Sequence, residues 1–384
     1  MAKSLYIHIP FCDQICSYCD FAKIYSKGQD IDKYIAALVL EMEIYRKEIE
    51  ASGKNFDLKT IYIGGGTPTL LTVAQLEKLF SYLHSIINFD TLEEVSIEAN
   101  PESLCDPKKI CCLKKYGVTR VSLGVQTFNA KHLQTLERNH CNSTVFCTID
   151  LLAQNCFEIN VDLIYSIPGQ SLAQWEEDLE RLFTLPVTHV STYSLILEKH
   201  TKFYRDFLKG RLDLVDNVVE ALMFEKGIEK LVSAGFEHYE ISNFTLQKKS
   251  AHNMTYWKNE PYIAVGLGAH GFLDGTRYEN TRSITAYMKN LMAGKKPVLN
   301  EQKLTIEDQI EESMFLGLRL MEGICLNDLS NRYNRDIYAL YEKNISKLVK
   351  QNYLVYTDIS GKKMVKLTKD GLMMANNVFE EFLL

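Results

Sequence analysis

Cys12, Cys16 and Cys19 fall in Phe-Cys-Asp-Gln-Ile-Cys-Ser-Tyr-Cys-Asp-Phe, a C-x3-C-x2-C spacing. Three thiolates are one short of the four a [4Fe-4S] cube usually takes, so one iron keeps a position open to a substrate or cofactor. An iron with a vacancy points to chemistry rather than to electron storage. Structural zinc closes four ligands, and no fourth Cys or His follows at finger-like spacing. Further on, Gly64-Gly65-Gly66-Thr67-Pro68-Thr69 directly follows the apolar run Ile61 to Ile63. Glycines let a backbone come close to a ligand, whose ammonium and carboxylate its free C=O and N–H groups can hold. Alone, the motif also reads as an ordinary strand-ending turn; without Gly-Lys-Ser/Thr it is no Walker loop. Glu98 carries an acceptor-only carboxylate suited to an ammonium or to ribose hydroxyls. Arg138 offers a forked donor suited to a carboxylate.

The elements that must position these groups follow from apolar periodicity. Short runs rich in β-branched residues recur at Leu5 to Ile9, Thr60 to Ile63, Glu94 to Glu98, Arg120 to Val125, Asn160 to Tyr165 and His189 to Leu195. Between most of them lie helical patterns, such as Ile31, Tyr34, Ile35, Leu38, Val39, Met42 and Tyr45. The alternation predicts an α/β fold with a parallel sheet, open or barrel-like. Polar residues at successive strand ends favour a partial (β/α)6 TIM-like barrel, whose working groups come from the C-terminal ends of several strands. On this reading residues 1–235 form the barrel and 236–300 a bridging segment. Residues 301–384 form a mainly α, winged-helix-like module of helices with a small hairpin. Acidic residues outnumber basic ones from Glu301 onward, and the whole chain carries a net charge of -6, so no nucleic-acid partner is expected. No charged leader precedes Ser4 to Phe11, and a reducing cytoplasmic setting is the expectation. The cysteines outside the triplet show no second ligand spacing, and most are expected to be small packing residues.

With Tyr6 and His8 before it and Tyr18 inside it, the cysteine triplet resembles the cluster motif of the radical S-adenosylmethionine superfamily. The resemblance implies a [4Fe-4S] cluster held by Cys12, Cys16 and Cys19, with S-adenosylmethionine on the open iron. It implies cofactor contacts by Tyr6, by Tyr18 near the adenine, and by Gly65, Gly66 and Thr67 of a GGGTP-like element. Glu98, Gln126, Arg138 and Asp162 match further positions that contact the nucleoside or the carboxylate. Tyr18 also reads as a spacer aromatic, and each of the others alone as a surface or capping residue.

His252-Asn253-Met254-Thr255-Tyr256-Trp257 reads on its own as a partly buried aromatic cluster. This HNxxYW element, with His238 to Phe244 ahead of it, also resembles that of the haem-chaperone branch of the oxygen-independent coproporphyrinogen III oxidase-like family. That resemblance implies haem binding through His252, delivery to respiratory haem proteins, and a homodimer; no run of eighteen uncharged apolar residues is present to span a bilayer, which leaves peripheral membrane contact open. The oxidase branch, which decarboxylates two propionates, is the alternative. It carries a further cysteine where this chain has Phe21, lacks HNxxYW, and has an N-terminal extension for which this chain leaves no room. Whether radical turnover occurs stays open. Gly266-Leu267-Gly268-Ala269-His270-Gly271 has the form of a dinucleotide fingerprint but opens no helix, so tight backbone packing is its expected use.

Overall fold

The computed structural model describes residues 2–53, 56–359 and 361–383. The six apolar runs form parallel strands β1 (Ser4–Ile9), β2 (Thr60–Gly65), β3 (Glu94–Ala99), β4 (Arg120–Gln126), β5 (Glu158–Tyr165) and β6 (His189–Ser194). They pair in chain order, the succession of a barrel rather than of a doubly wound sheet. Helices Ile31–Ala51, Val73–Ile86, Pro107–Lys115, Asn142–Gln154 and Leu172–Leu182 return the chain between them. Their starts are set locally. Asp30 accepts from the Lys33 N–H, while Thr72 with Gln75 and Ser171 with Gln174 form capping boxes.

Alternation divides the strands between two environments. Ile7, Ile63, Ile97, Leu123 and Val161 pack outward under the helices in one continuous core with Leu38, Leu76, Ile149 and Leu179. Each such buried side chain contributes about 2 kcal/mol of apolar burial. The alternate set is polar: Ser4, Tyr6 and His8 on β1, Glu94, Ser96 and Glu98 on β3, Asn160 and Asp162 on β5. A partial barrel with a polar interior results, and polar groups enclosed there must be paired or solvated.

The segment 236–300, expected as a bridge, supplies strands that lengthen both edges of the same sheet, the last of them running on to Lys303. Strand β7 (Glu237–Glu240) and β8 (Asn243–Thr245) add beyond β6. On the other side β9 (Tyr262–Val265) pairs parallel with β1, followed by β10 (His270–Leu273), β11 (Thr276–Asn280) and β12 (Val298–Lys303). Gly266, with φ 107°, ends β9 where a Cβ would lie 2.5 Å from the His8 carbonyl oxygen, which is the close packing expected of this glycine run. The buried carboxylate of Glu41 fixes that turn. It accepts from Gly266 N at 2.8 Å, Asn280 Nδ2 at 2.6 Å and the Tyr287 hydroxyl at 2.5 Å.

The C-terminal module has its own core, including Met314, Ile345, Leu348, Val365 and Phe382. Helices Ile306–Gly317, Leu326–Tyr333 and Ile337–Lys350 pack with a sheet in which Lys362–Leu367 lies between Ile324–Cys325 and Leu354–Ile359. Its joint to the barrel is polar and aromatic. Arg277 forks onto Glu312 at 3.0 and 2.7 Å, and Arg319 lies 4.4 Å over the ring of Trp257. Among the described residues, no helix is long and apolar enough to cross a membrane.

Candidate cluster and cofactor site

The cluster loop leaves β1 at Pro10 and is held from below by a histidine. His8 bonds the Ala22 carbonyl through Nε2 at 2.6 Å and the Tyr6 hydroxyl through Nδ1 at 2.9 Å. Burial lowers the His8 pKa to about 4, so the ring is neutral at pH 7 and serves as a brace. The loop is also pressed against the glycine turn. A Cβ on Gly66 would lie 2.7 Å from the Phe11 carbonyl oxygen and 2.9 Å from the Cys12 sulfur, and Gly65 sits at φ 119° against the His8 ring. Neither position tolerates a larger residue without displacing the loop.

Above these contacts opens a cavity of about 490 Å³ lined by Cys12, Cys16, Cys19, Tyr18, Gly65, Gly66, Thr67, Glu98, Gln126, Arg138 and Asp162. Eleven of the thirteen residues singled out in the sequence thus share one wall. Glu98 accepts from the Gly65 N–H at 2.8 Å and the Tyr62 hydroxyl at 2.9 Å, and burial raises its pKa to about 7. Asp162 accepts from Ser122 at 3.0 Å and Asn160 at 2.7 Å, with its pKa also raised by burial. Arg138 donates to Asn100 and to the Gly124 carbonyl, both at 2.7 Å, and its Nη1 lies 3.6 Å from the Cys16 sulfur. Its Nε has no hydrogen-bond partner among the described residues. A guanidinium beside cluster thiolates offsets their negative charge.

The donor set suits a cubane. Burial pushes the Cys12 thiol up to about 11 and raises Cys19, so these sulfurs ionise readily only against a cation such as iron. Among the described residues, no three His, Cys, Asp or Glu side chains converge as a single-ion site would require. A cube differs in presenting a separate iron to each thiolate.

Two expected residues stand elsewhere. Tyr6 is not in the cavity wall; it stacks on Tyr62 at 6.1 Å and bonds His8, and so supports the layer beneath Glu98. His252 lies at the opposite end of the strands, fully buried on the short helix Ala251–Trp257. Its Nδ1 bonds Thr60 and its Nε2 the Tyr256 hydroxyl, both at 2.8 Å, and burial lowers its pKa to about 3. In this structure His252 offers no nitrogen to a haem iron. As folded here, the HNxxYW helix packs its His252 and Tyr256 rings at the barrel floor, and Asn253 of the motif lines the cavity above.

Glu94 anchors that floor. Its carboxylate accepts from Ser250 Oγ at 3.0 Å and the Ala251 N–H at 2.8 Å, and lies 3.4 Å from Arg120 Nε. The helix N-terminus and the guanidinium together stabilise this charge. From Asp162 a chain of hydrogen bonds descends to the same helix. It passes through Asn160, His189 at 2.6 Å and the Tyr239 hydroxyl at 2.8 Å, which accepts from the Ser250 N–H at 3.3 Å. Asn100, Tyr62, Ser122 and Asn160 were not singled out in the sequence. Their available signal was position, since each sits on the inward-facing set or at the end of a strand already carrying a candidate.

Comparison with known proteins agrees with this geometry. The Radical SAM superfamily profile matches residues 6–182 and the HemN C-terminal domain profile matches residues 304–360. The protein named heme chaperone HemW of Lactococcus lactis is 42% identical over 100% of this chain and 97% of its own length. Its Bacillus subtilis namesake is 40% identical over 99% of each. The structure titled coproporphyrinogen III oxidase (HemN) from Escherichia coli superposes with a TM-score of 0.83 over 99% of this chain and 89% of that one, at 21% identity, a likeness of fold. By that full-length identity, and with the cysteine triplet and glycine turn sharing one cavity, the chain belongs to the HemW family of the radical S-adenosylmethionine superfamily.

Proposed function

We propose that this protein binds haem and passes it to respiratory haem proteins, while its barrel mouth holds a [4Fe-4S] cluster and S-adenosylmethionine. The observation that carries the reading is full-length identity of 42% and 40% to two heme chaperones. Phe21 and Ile196 support it. They are 65% and 66% exposed on the rim of the cavity, where they offer apolar surface to a flat porphyrin. Cys12, Cys16 and Cys19 would hold the cluster, and with S-adenosylmethionine bound it supplies an electron able to cleave the sulfonium. The chain's own groups orient the cofactor: Glu98 and Asp162 accept, Arg138 donates, and the enclosed wall limits water. Haem ligation by His252 belongs to the reading on one condition, that its imidazole turns away from Thr60 on the strand and from Tyr256 on its own helix, which frees a ring nitrogen. A homodimer, a cytoplasmic setting and peripheral contact with a membrane complete the proposal.

The complete cofactor wall also favours a second reading, an enzyme that spends the radical on a porphyrinogen. A parallel assay on anaerobically reconstituted protein separates the two. The chaperone reading expects one haem per chain by spectral titration and no decarboxylation of coproporphyrinogen; efficient release of protoporphyrinogen IX would overturn it.

A further inference from the structure

Cys111, Cys141, Cys147 and Cys156 are exposed, contrary to the packing role expected for most of the remaining cysteines. Two thiols outside the cluster site meet. Cys105 and Cys147 lie with their sulfurs 2.9 Å apart, the former partly buried and the latter exposed. Two free thiols at this separation need little motion to reach bonding distance, since a disulfide asks for sulfurs about 2.05 Å apart.

Their place in the fold gives the contact a consequence. Cys105 ends the one-turn helix Pro101–Leu104, which starts directly after Asn100, the partner of Arg138. Cys147 lies on helix Asn142–Gln154, which begins shortly after Arg138, and the neighbouring Thr148 already donates to the Pro101 carbonyl at 3.1 Å. A covalent link here would tie together the two segments that carry Asn100 and Arg138 into the cofactor wall.

We propose that Cys105 and Cys147 form a redox-active dithiol site that closes to a disulfide with a small-molecule disulfide as oxidant and clamps these two segments. The exposed Cys147 thiolate attacks glutathione disulfide and releases one glutathione as thiolate, leaving a mixed disulfide. The Cys105 thiolate then attacks the Cys147 sulfur and expels the second glutathione. In sum two protein thiols and one glutathione disulfide become one protein disulfide and two glutathiones, and the protein pair loses two electrons and two protons. An accessible link of this kind belongs to the labile class that cellular thiols can reverse. The site lies outside the cluster thiols, so closing it leaves the three iron ligands free.

The test uses full-length, cluster-loaded protein treated with glutathione disulfide without oxygen, followed by alkylation and peptide mass mapping. The expected result is a cross-linked peptide pair containing Cys105 and Cys147, lighter by two hydrogens. Tm should rise by roughly 3 °C or more, because the link constrains the unfolded chain. Cys147→Ser should show neither the link nor the rise. Recovery of both residues alkylated, or each stopped as its glutathione adduct, would overturn the site. A link that forms without the rise in Tm would overturn the clamp.

Discussion

Glu98 is the residue at which the cavity's chemistry is most exposed to measurement. Its carboxylate is half-buried in the cavity wall and held by two donors, and desolvation there outweighs those bonds and raises its pKa to about 7. The charged form is the better acceptor for an ammonium or for ribose hydroxyls. A cationic ligand must therefore displace a proton below pH 7, and affinity falls as pH falls. For S-adenosylmethionine binding to the cluster-loaded protein, calorimetry should give a Kd about tenfold weaker at pH 6 than at pH 8. In Glu98→Gln the dependence should flatten, and the same slope in both proteins would refute the assignment. The residue types of this wall were legible in the sequence because cluster loop, glycine turn and strand-end carboxylate each have a chemical reason to occur together. The hydrogen-bond partners of Tyr6 and His252 were not legible. A motif shows which side chains are present but not the depth at which a strand or helix sets them, and both sit among hydrogen-bond partners remote in sequence.

At the scale of the element, the floor helix Ala251–Trp257 sets the depth of His252. Seven residues make a marginal helix alone, and this one is fixed by Ser250 as N-cap and by the Glu94 carboxylate. Neutralising that carboxylate leaves Arg120 with Glu158 as its remaining close acidic partner and removes the charge at the helix N-terminus. Glu94→Gln should lower unfolding free energy by about 2–4 kcal/mol in urea titration. A change within about 0.5 kcal/mol, the range of ordinary surface substitutions, would show that the floor does not depend on it. The first five parallel strands were legible because their outward faces are rows of aliphatic residues, and the sixth, with Val190 as its one aliphatic residue, followed from the alternation of strands and helices. The edge strands β7 to β12 were not. They span three to six residues each, β12 exposes most of its length, and the one apolar run among them, Tyr262–Val265, is only four residues long.

Across the whole molecule the mouth and the floor of one barrel carry different parts of the sequence motif set. Cysteines, glycines and acids gather at the mouth, while HNxxYW closes the other end and meets the C-terminal module through Trp257 and Arg319. The buried chain from Asp162 through Asn160, His189 and Tyr239 to Ser250 spans the distance between them. One cavity reaches both ends, since Ser250 and Asn253 line it together with the cluster cysteines, Phe21 and Ile196. Haem delivery is tested by mixing haem-loaded, cluster-containing protein with the apo form of a respiratory haem protein and following the acceptor's Soret band. Transfer to the acceptor should be faster than loss of haem to a passive scavenger at equal concentration. Equal rates to acceptor and scavenger, or haem that stays bound, would contradict it.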